Sequence, residues 1–168
     1  MRRIAVVGCG GAGKTTLANA LGDQLGLPVI HLDEHYWQPG WIPTSDEQWR
    51  EKQNELVSAD RWIIDGNYSS TLDLRLKRAD VVIVLAFARW RCFLGVLKRW
   101  VTHYGRAVQA PGCPERVSFK FLKWIWNYPS GGRRRLDTAL ALHAQHATVI
   151  ELDNPRVVRE FLGRTAGR

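Results

Sequence analysis

Residues 8–16 read GCGGAGKTT: Gly8, Gly10, Gly11 and Gly13, with Ala12 among them, lead into Lys14, Thr15 and Thr16. Closely spaced glycines let a backbone curl tightly round an anion, so that successive N–H groups point inward. Gly8, Gly13, Lys14 and Thr15 satisfy the phosphate-loop spacing G-x-x-x-x-G-K-[ST]. In such a loop the amides cradle a triphosphate, the lysine reaches its β- and γ-phosphates, and the hydroxyl ligates Mg²⁺. Gly8, Gly10 and Gly13 also fit the dinucleotide pattern G-x-G-x-x-G, with Asp33 twenty residues beyond Gly13. The Lys14-Thr15 pair favours the triphosphate reading, with ATP and Mg²⁺ as the implied cofactors.

Two carboxylates follow apolar runs: Asp33 after VIHL and Asp65 after WII. Ligands of open α/β sheets bind beyond the carboxyl ends of the strands, which is where such residues stand. Asp33 suits the acceptance of a proton from a substrate hydroxyl, and the adjacent Glu34 and His35 are alternatives for that role. Asp65 suits the support of a Mg²⁺ shell, as the second metal-side residue beside Thr15, or the orientation of substrate. The segment DEHYWQPGWIP (33–43) reads as a loop. Its Tyr36, Trp37 and Trp41 are expected either to stack on a planar substrate or to pin the loop to the core. Arg75 is a candidate grip on the acceptor, and Arg99 and Arg106 are candidates for neutralising a phosphoryl group in transfer.

These residues need elements to hold them. Apolar runs at 4–8, 28–33, 61–65, 81–87 and 147–152 alternate with helical stretches at 14–25, 46–59, 70–78, 89–104, 118–127, 133–145 and 155–163. Strands alternating with helices imply a parallel sheet covered on both faces, an α/β fold. Ser45 followed by Gln48 reads as a helix start, and Pro155 with Gly163 as the two ends of a helix. Residues 105–116 carry two prolines and two glycines and read as a mobile lid, and the tail 163–168 as frayed.

The 168 residues suit one domain, 1–168. No apolar run approaches the roughly 20 residues that span a membrane, so a cytoplasmic protein with no membrane partner is expected. Cys9, Cys92 and Cys113 are odd in number and lack CxxC spacing, which argues against a disulfide framework or zinc site. Net charge is +8, and Arg89, Arg91, Lys98, Arg99, Arg106, Arg116, Lys120, Lys123 and Arg133, Arg134 and Arg135 crowd one third of the chain. Such a cluster suits nucleic acid, an acidic surface or the phosphates of a small substrate.

Together, GCGGAGKTTLA, HLDEHYWQPGW, WIIDGNYS, ADVVIVL and KFLKWIWNY resemble the P-loop kinase-like DNA topology modulation proteins, relatives of adenylate kinase and shikimate kinase. The resemblance covers about residues 3–162. It implies a three-layer P-loop NTPase fold with a five-stranded sheet of order 2-3-1-4-5, an ATP site at 8–16 and a lid near 105–116. By the same likeness, Asp33 and the DGNY segment, Asp65, Gly66, Asn67 and Tyr68, face an acceptor, and Arg99 and Arg106 face phosphates. Adenylate kinases carry a D-G-F-P-R run where this chain has Asp65, Gly66, Asn67, Tyr68 and Ser69. The missing arginine argues against AMP as acceptor. The expectation is an ATP- and Mg²⁺-dependent small-molecule kinase, monomeric or homodimeric, with a nucleoside or nucleotide among its possible acceptors. The alternatives are a nucleotide-dependent DNA-associated regulator and an ATPase switch without an acceptor.

Overall fold

The computed structural model describes residues 1–116 and 118–165; the expected frayed tail lies outside them from 166 on. The chain opens with β1 (Arg3–Gly8), whose burial is continuous from Ile4 onward. Ile4 and Val6 face one side of the sheet, and Ala5 and Val7 the other. A strand that is apolar on both faces needs helices on both faces. Helix α1 (Lys14–Leu25) supplies the first, burying Leu17, Ala18, Leu21 and Gly22, and ends at Gly26 in the left-handed conformation.

Strand β2 (Val29–His31) is shorter than the run 28–33 suggests. The chain leaves the sheet at Leu32 and forms α2 (Leu32–Tyr36), followed by a small antiparallel hairpin, β3 (Trp37–Gln38) with β4 (Ile42–Pro43). The reading of 33–43 as a plain loop is therefore corrected. Burial of Leu32, which is fully enclosed, fixes a turn of helix that the aromatic-rich sequence does not advertise. Helix α3 (Asp46–Ser58) starts at Ser45, whose hydroxyl accepts the Gln48 amide at 3.4 Å, and buries Trp49, Gln53 and Val57.

The remaining elements are β5 (Trp62–Asp65), α4 (Leu72–Leu76), β6 (Val81–Leu85), α5 (Arg89–His103), α6 (Phe119–Asn127), α7 (Gly132–His143), β7 (Thr148–Leu152) and α8 (Pro155–Thr165). Helix α8 runs on through Gly163. It begins at Asn154, whose side-chain oxygen accepts the Arg156 and Val157 amides.

The five long strands form one parallel sheet in the order β2-β5-β1-β6-β7, which is 2-3-1-4-5 when only its own strands are counted. One face packs Ile4, Val6, Ile63 and Ile83 under Leu17 and Leu21 of α1, Cys92 and Val96 of α5 and Ile125 of α6. The other packs Ala5, Val7, Ile64, Val82 and Val84 under Trp49 of α3, Leu76 of α4 and Leu136 of α7. Each fully buried aliphatic side chain contributes about 1.5–3 kcal/mol, so the two faces hold the sheet far more firmly than any surface contact. All three cysteines are buried free thiols. Among the described residues, no helix is long and apolar enough to cross a membrane.

Candidate active site

The carboxyl ends of β1, β2 and β5 lie side by side, because Val6 pairs with Asp65 and His31 pairs with Asp65 in the parallel register. The phosphate-loop sequence leaves β1 at this edge. Gly13 takes φ 87° at the N-terminus of α1, with nothing within 4 Å of where a side chain would start. Gly11 takes φ 80°, and a Cβ there would meet the Cys92 carbonyl of α5 at 2.1 Å. The approach is mutual: a Cβ on Gly95 would lie 2.2 Å from the Gly11 oxygen. Gly95 escaped the sequence reading, although a glycine inside an otherwise regular helix is the sign of such a contact.

The Lys14 ammonium folds back over its own loop and donates to the Gly8 and Cys9 carbonyls, at 3.0 and 3.1 Å. Among the described residues these two neutral carbonyls are its only partners, and a cation so held at a helix N-terminus is readily drawn to a phosphate. The Thr15 hydroxyl donates to Asp65 Oδ2 at 2.8 Å. Its one hydrogen is thereby committed, and its lone pairs remain for a metal. Asp65 is buried, and its other oxygen lies 2.6 Å from His31 Nδ1; His31 Nε2 lies 3.0 Å from Asn19 Oδ1. The Asp65 hydrogen bond raises the His31 pKa; desolvation opposes it, and the charges of Asp65, Glu34 and Asp33 add to it. His31 escaped the sequence reading, although a polar residue inside an apolar strand run was its signal.

Where the sequence leads one to expect an acceptor, Asp33 stands in the first turn of α2, and its Oδ1 accepts the Tyr68 hydroxyl at 2.5 Å. Burial and then the Asp33 charge push the Tyr68 hydroxyl pKa well up, so it acts as a neutral donor. Tyr68 takes φ 38°, a left-handed conformation that costs a non-glycine residue about 1–2 kcal/mol. Packing against Tyr36 and Trp49, at 4.7 and 4.8 Å between centroids, holds it there. Asn67 Oδ1 accepts the Gly8 amide at 3.0 Å and so ties this turn to the phosphate loop. Arg75, expected to grip an acceptor, is fully buried beneath the turn. Its guanidinium donates to Gly66 O at 2.7 Å and to Asn67 O, and burial lowers its pKa to about 10.

Trp37 and Trp41 pack edge to face, and Trp37 does the same with Tyr36. Trp41 Nε1 donates to Pro114 O at 2.9 Å, Gly40 N to Gly112 O at 2.9 Å, and Cys113 Sγ to Gln38 O at 3.2 Å. The segment 105–116 is thus stitched to the β3–β4 hairpin. Its Glu115 is buried and lies 3.0 Å from Arg99 Nε. That contact is an ion pair rather than an aligned hydrogen bond, since among the described residues Nε has no partner at hydrogen-bonding angles. Gln109 donates to the same carboxylate at 2.7 Å. Arg106 is exposed. Glu115 was not singled out in the sequence, yet it is the sole carboxylate between Asp80 and Asp137.

The residues at the loop suit magnesium with a polyphosphate. Mg²⁺ takes one or two protein oxygens and fills its shell with phosphate and water, and Thr15 with Asp65 offers that hard oxygen pair. The left-handed Gly11 and Gly13 give the backbone path that turns amides toward an anion.

No family model matches the chain. A curated protein similar to it is the uncharacterized protein YqaC of Bacillus subtilis (strain 168), 26% identical over 144 residues, covering 84% of this chain and 81% of that one. Among solved structures, the chain is similar to shikimate kinase from Acinetobacter baumannii in complex with shikimate, with TM-score 0.58, 18% identity, and coverage of 98% and 90%. A gluconokinase from Sinorhizobium meliloti 1021 gives TM-score 0.57, 16% identity, and coverage of 99% and 92%. Deoxyadenosine kinase from M. mycoides with bound dATP gives TM-score 0.57, 13% identity, and full coverage of both chains. The chain shares the fold of these three solved structures.

Proposed function

We propose that the protein is an ATP- and magnesium-dependent phosphotransferase acting on a small hydroxyl- or phosphate-bearing acceptor, a nucleoside or nucleotide among the candidates. The observation that carries this reading is the joint geometry of the glycine loop: left-handed Gly11 and Gly13, Lys14 donating to the Gly8 and Cys9 carbonyls, and the Thr15 hydroxyl committed to Asp65. The likeness to small-molecule kinases supports it at the level of fold. Kinship with the DNA topology modulation proteins, read from the tryptophan-bearing segments, belongs to the same proposal, as does a cytoplasmic location, where ATP is at hand.

In this reading Lys14 exchanges its two carbonyl partners for phosphate oxygens, and the amides of residues 8–15 hold the rest of the triphosphate. Magnesium bound at Thr15, with Asp65 in support, would neutralise charge on the phosphates. Asp33 orients the acceptor hydroxyl and takes its proton as the acceptor oxygen bonds to the γ-phosphorus and the bond to the leaving diphosphate breaks. Tyr68 holds that carboxylate in place. Arg99 and Arg106 steady the migrating group, and 105–116 closes as a lid that excludes water. The aromatic wall of Tyr36, Trp37 and Trp41 borders the acceptor, and Arg75 braces the Gly66–Asn67 turn from below.

The test is a mass-spectrometric or ³¹P screen for phosphorylated products across nucleosides, nucleotides and small alcohols with Mg·ATP. Lys14→Ala is expected to abolish turnover. Asp33→Asn is expected to keep nucleotide binding and lose transfer. Unchanged turnover in Lys14→Ala refutes the assignment. ATP hydrolysis at one rate with and without every acceptor replaces it with a switch.

A further inference from the structure

Asp65 has both carboxylate oxygens engaged by protein groups. Oδ2 accepts the Thr15 hydroxyl, and Oδ1 meets His31 Nδ1 at 2.6 Å. The far nitrogen of His31 meets Asn19 Oδ1 at 3.0 Å. Thr15 and Asn19 are four residues apart on α1, so their side chains share one face of the helix. The chain of contacts therefore starts on α1, crosses to β2 and β5, and returns to α1 one turn away. His31 and Asp65 are register partners in the sheet, so the middle of the ring rests on fixed backbone.

We propose that His31, anchored by Asn19, is a positioning residue that sets Asp65, and through it the Thr15 hydroxyl, for a divalent cation. This deepens the function proposed above and rests on it. A carboxylate turns about its last single bond unless both oxygens are held. With His31 in place, Asp65 presents Oδ2 to the Thr15 hydrogen, and the Thr15 lone pairs are left for the cation. Without it, Asp65 is free to swing, and the Thr15 hydrogen loses its fixed acceptor. Partners of this kind around metal-ligating groups are worth about 10–100-fold in metal affinity. No hydrogen bond of the His31 ring goes to the phosphate loop: among the described residues its two partners are Asp65 and Asn19. The effect is therefore confined to the metal-linked part of nucleotide binding.

The experiment titrates a non-hydrolysable ATP analogue into wild type, His31→Ala, His31→Asn and Asn19→Ala, once with chelator and once with Mn²⁺. Bound Mn²⁺ is counted by electron paramagnetic resonance. His31→Ala is expected to bind the metal-free analogue within about twofold of wild type and to lose about tenfold in Mn²⁺ affinity. His31→Asn can still donate from its amide to Asp65 and is expected to recover most of that loss. Asn19→Ala is expected to lose a few-fold. Wild-type Mn²⁺ affinity in His31→Ala, or in Asn19→Ala should His31→Ala fail to fold, overturns the inference. Equal losses in His31→Ala and His31→Asn also overturn it, because a merely structural role predicts no rescue. If wild type binds the analogue without any metal dependence, the positioning role falls while the phosphate-loop reading stands. If wild type does not bind the analogue at all, both fall.

Discussion

Gly95→Ala is the substitution whose sign separates the contact described at the phosphate loop from ordinary helix propensity. In an unencumbered helix interior, alanine is more stable than glycine by about 1 kcal/mol. At Gly95 the new Cβ would stand 2.2 Å from the Gly11 oxygen, 3.1 Å from its carbonyl carbon and 3.3 Å from its Cα. Real Cβ atoms essentially never come nearer than 3.0 Å, so α5 and the loop must separate by about 0.8 Å or more. Neither neighbour yields cheaply: Gly11 is itself pressed on the Cys92 carbonyl, and Cys92 and Val96 are locked into the core. Overpacking of this kind costs about 1–3 kcal/mol, which leaves a net loss of about 1 kcal/mol after the propensity gain. For a chain of this length that lowers Tm by about 2–4 °C. Gly163 in α8 is the internal control, since nothing lies within 4 Å of its Cβ position. There the same change is expected to raise stability by up to about 1 kcal/mol. Thermal and urea unfolding of the two variants beside wild type measures both signs, and nucleotide titration shows whether displacing Gly11 weakens binding. If Gly95→Ala is stabilised as much as Gly163→Ala and binds nucleotide as wild type does, the close seating of the loop on α5 is refuted.

Glu115→Ala removes the buried partner of Arg99 and the acceptor of Gln109. Arg99 keeps 26% of its side-chain surface in water, so the loss is expected near 1–2 kcal/mol rather than the larger figure for a fully buried pair, with the urea midpoint falling and the slope unchanged. Limited proteolysis is expected to cut within 105–116 faster in Glu115→Ala than in wild type, and equal cleavage of the two would contradict this anchoring. Asp80 is expected to contribute to the acid limb of stability. Burial alone would raise its pKa, but the Arg2 and Arg3 amides and the Arg3 guanidinium more than reverse that and bring it down to about 2. A carboxylate held lower in the folded state than in the unfolded one stabilises above the unfolded value of 3.8, and that contribution fades as pH falls toward about 2. With 35% of its side chain exposed, screening limits the effect to about 1 kcal/mol. Asp80→Asn is therefore expected to flatten stability between about pH 4 and pH 2, and an unaltered acid limb would count against it.

Much of the architecture is already written in local pattern. The run IAVVG alone specifies a strand wanted on both faces, and leucines at 17, 21 and 25 specify the helix that covers one of them. The glycines between them, followed by Lys14 and Thr15, specify a tightly curled loop of the phosphate-loop pattern, because backbone freedom, a cation and a hydroxyl are local properties. That these runs alternate is enough to require a parallel sheet with helices on both sides. The turn at α2 was hidden because Leu32 becomes helical by being buried, and burial there depends on Gly66 packing against it from another strand end.

The partners of the polar groups were decided only in three dimensions. Side-chain periodicity says which way a residue faces, and strand order and crossover path say what it meets there. His31 meets Asp65 across 34 positions, Tyr68 meets Asp33 across 35, and Asn67 meets Gly8 across 59. Arg75 read as a grip on an acceptor from its neighbours in sequence, and became a buried brace because α4 folds beneath the turn that β5 ends in. The sequence by itself determined that a glycine-rich loop carrying a lysine and a hydroxyl would stand at the end of a buried strand. Only the tertiary structure decided which distant side chains hold its carboxylates still, since that depends on which strand ends the sheet sets next to one another.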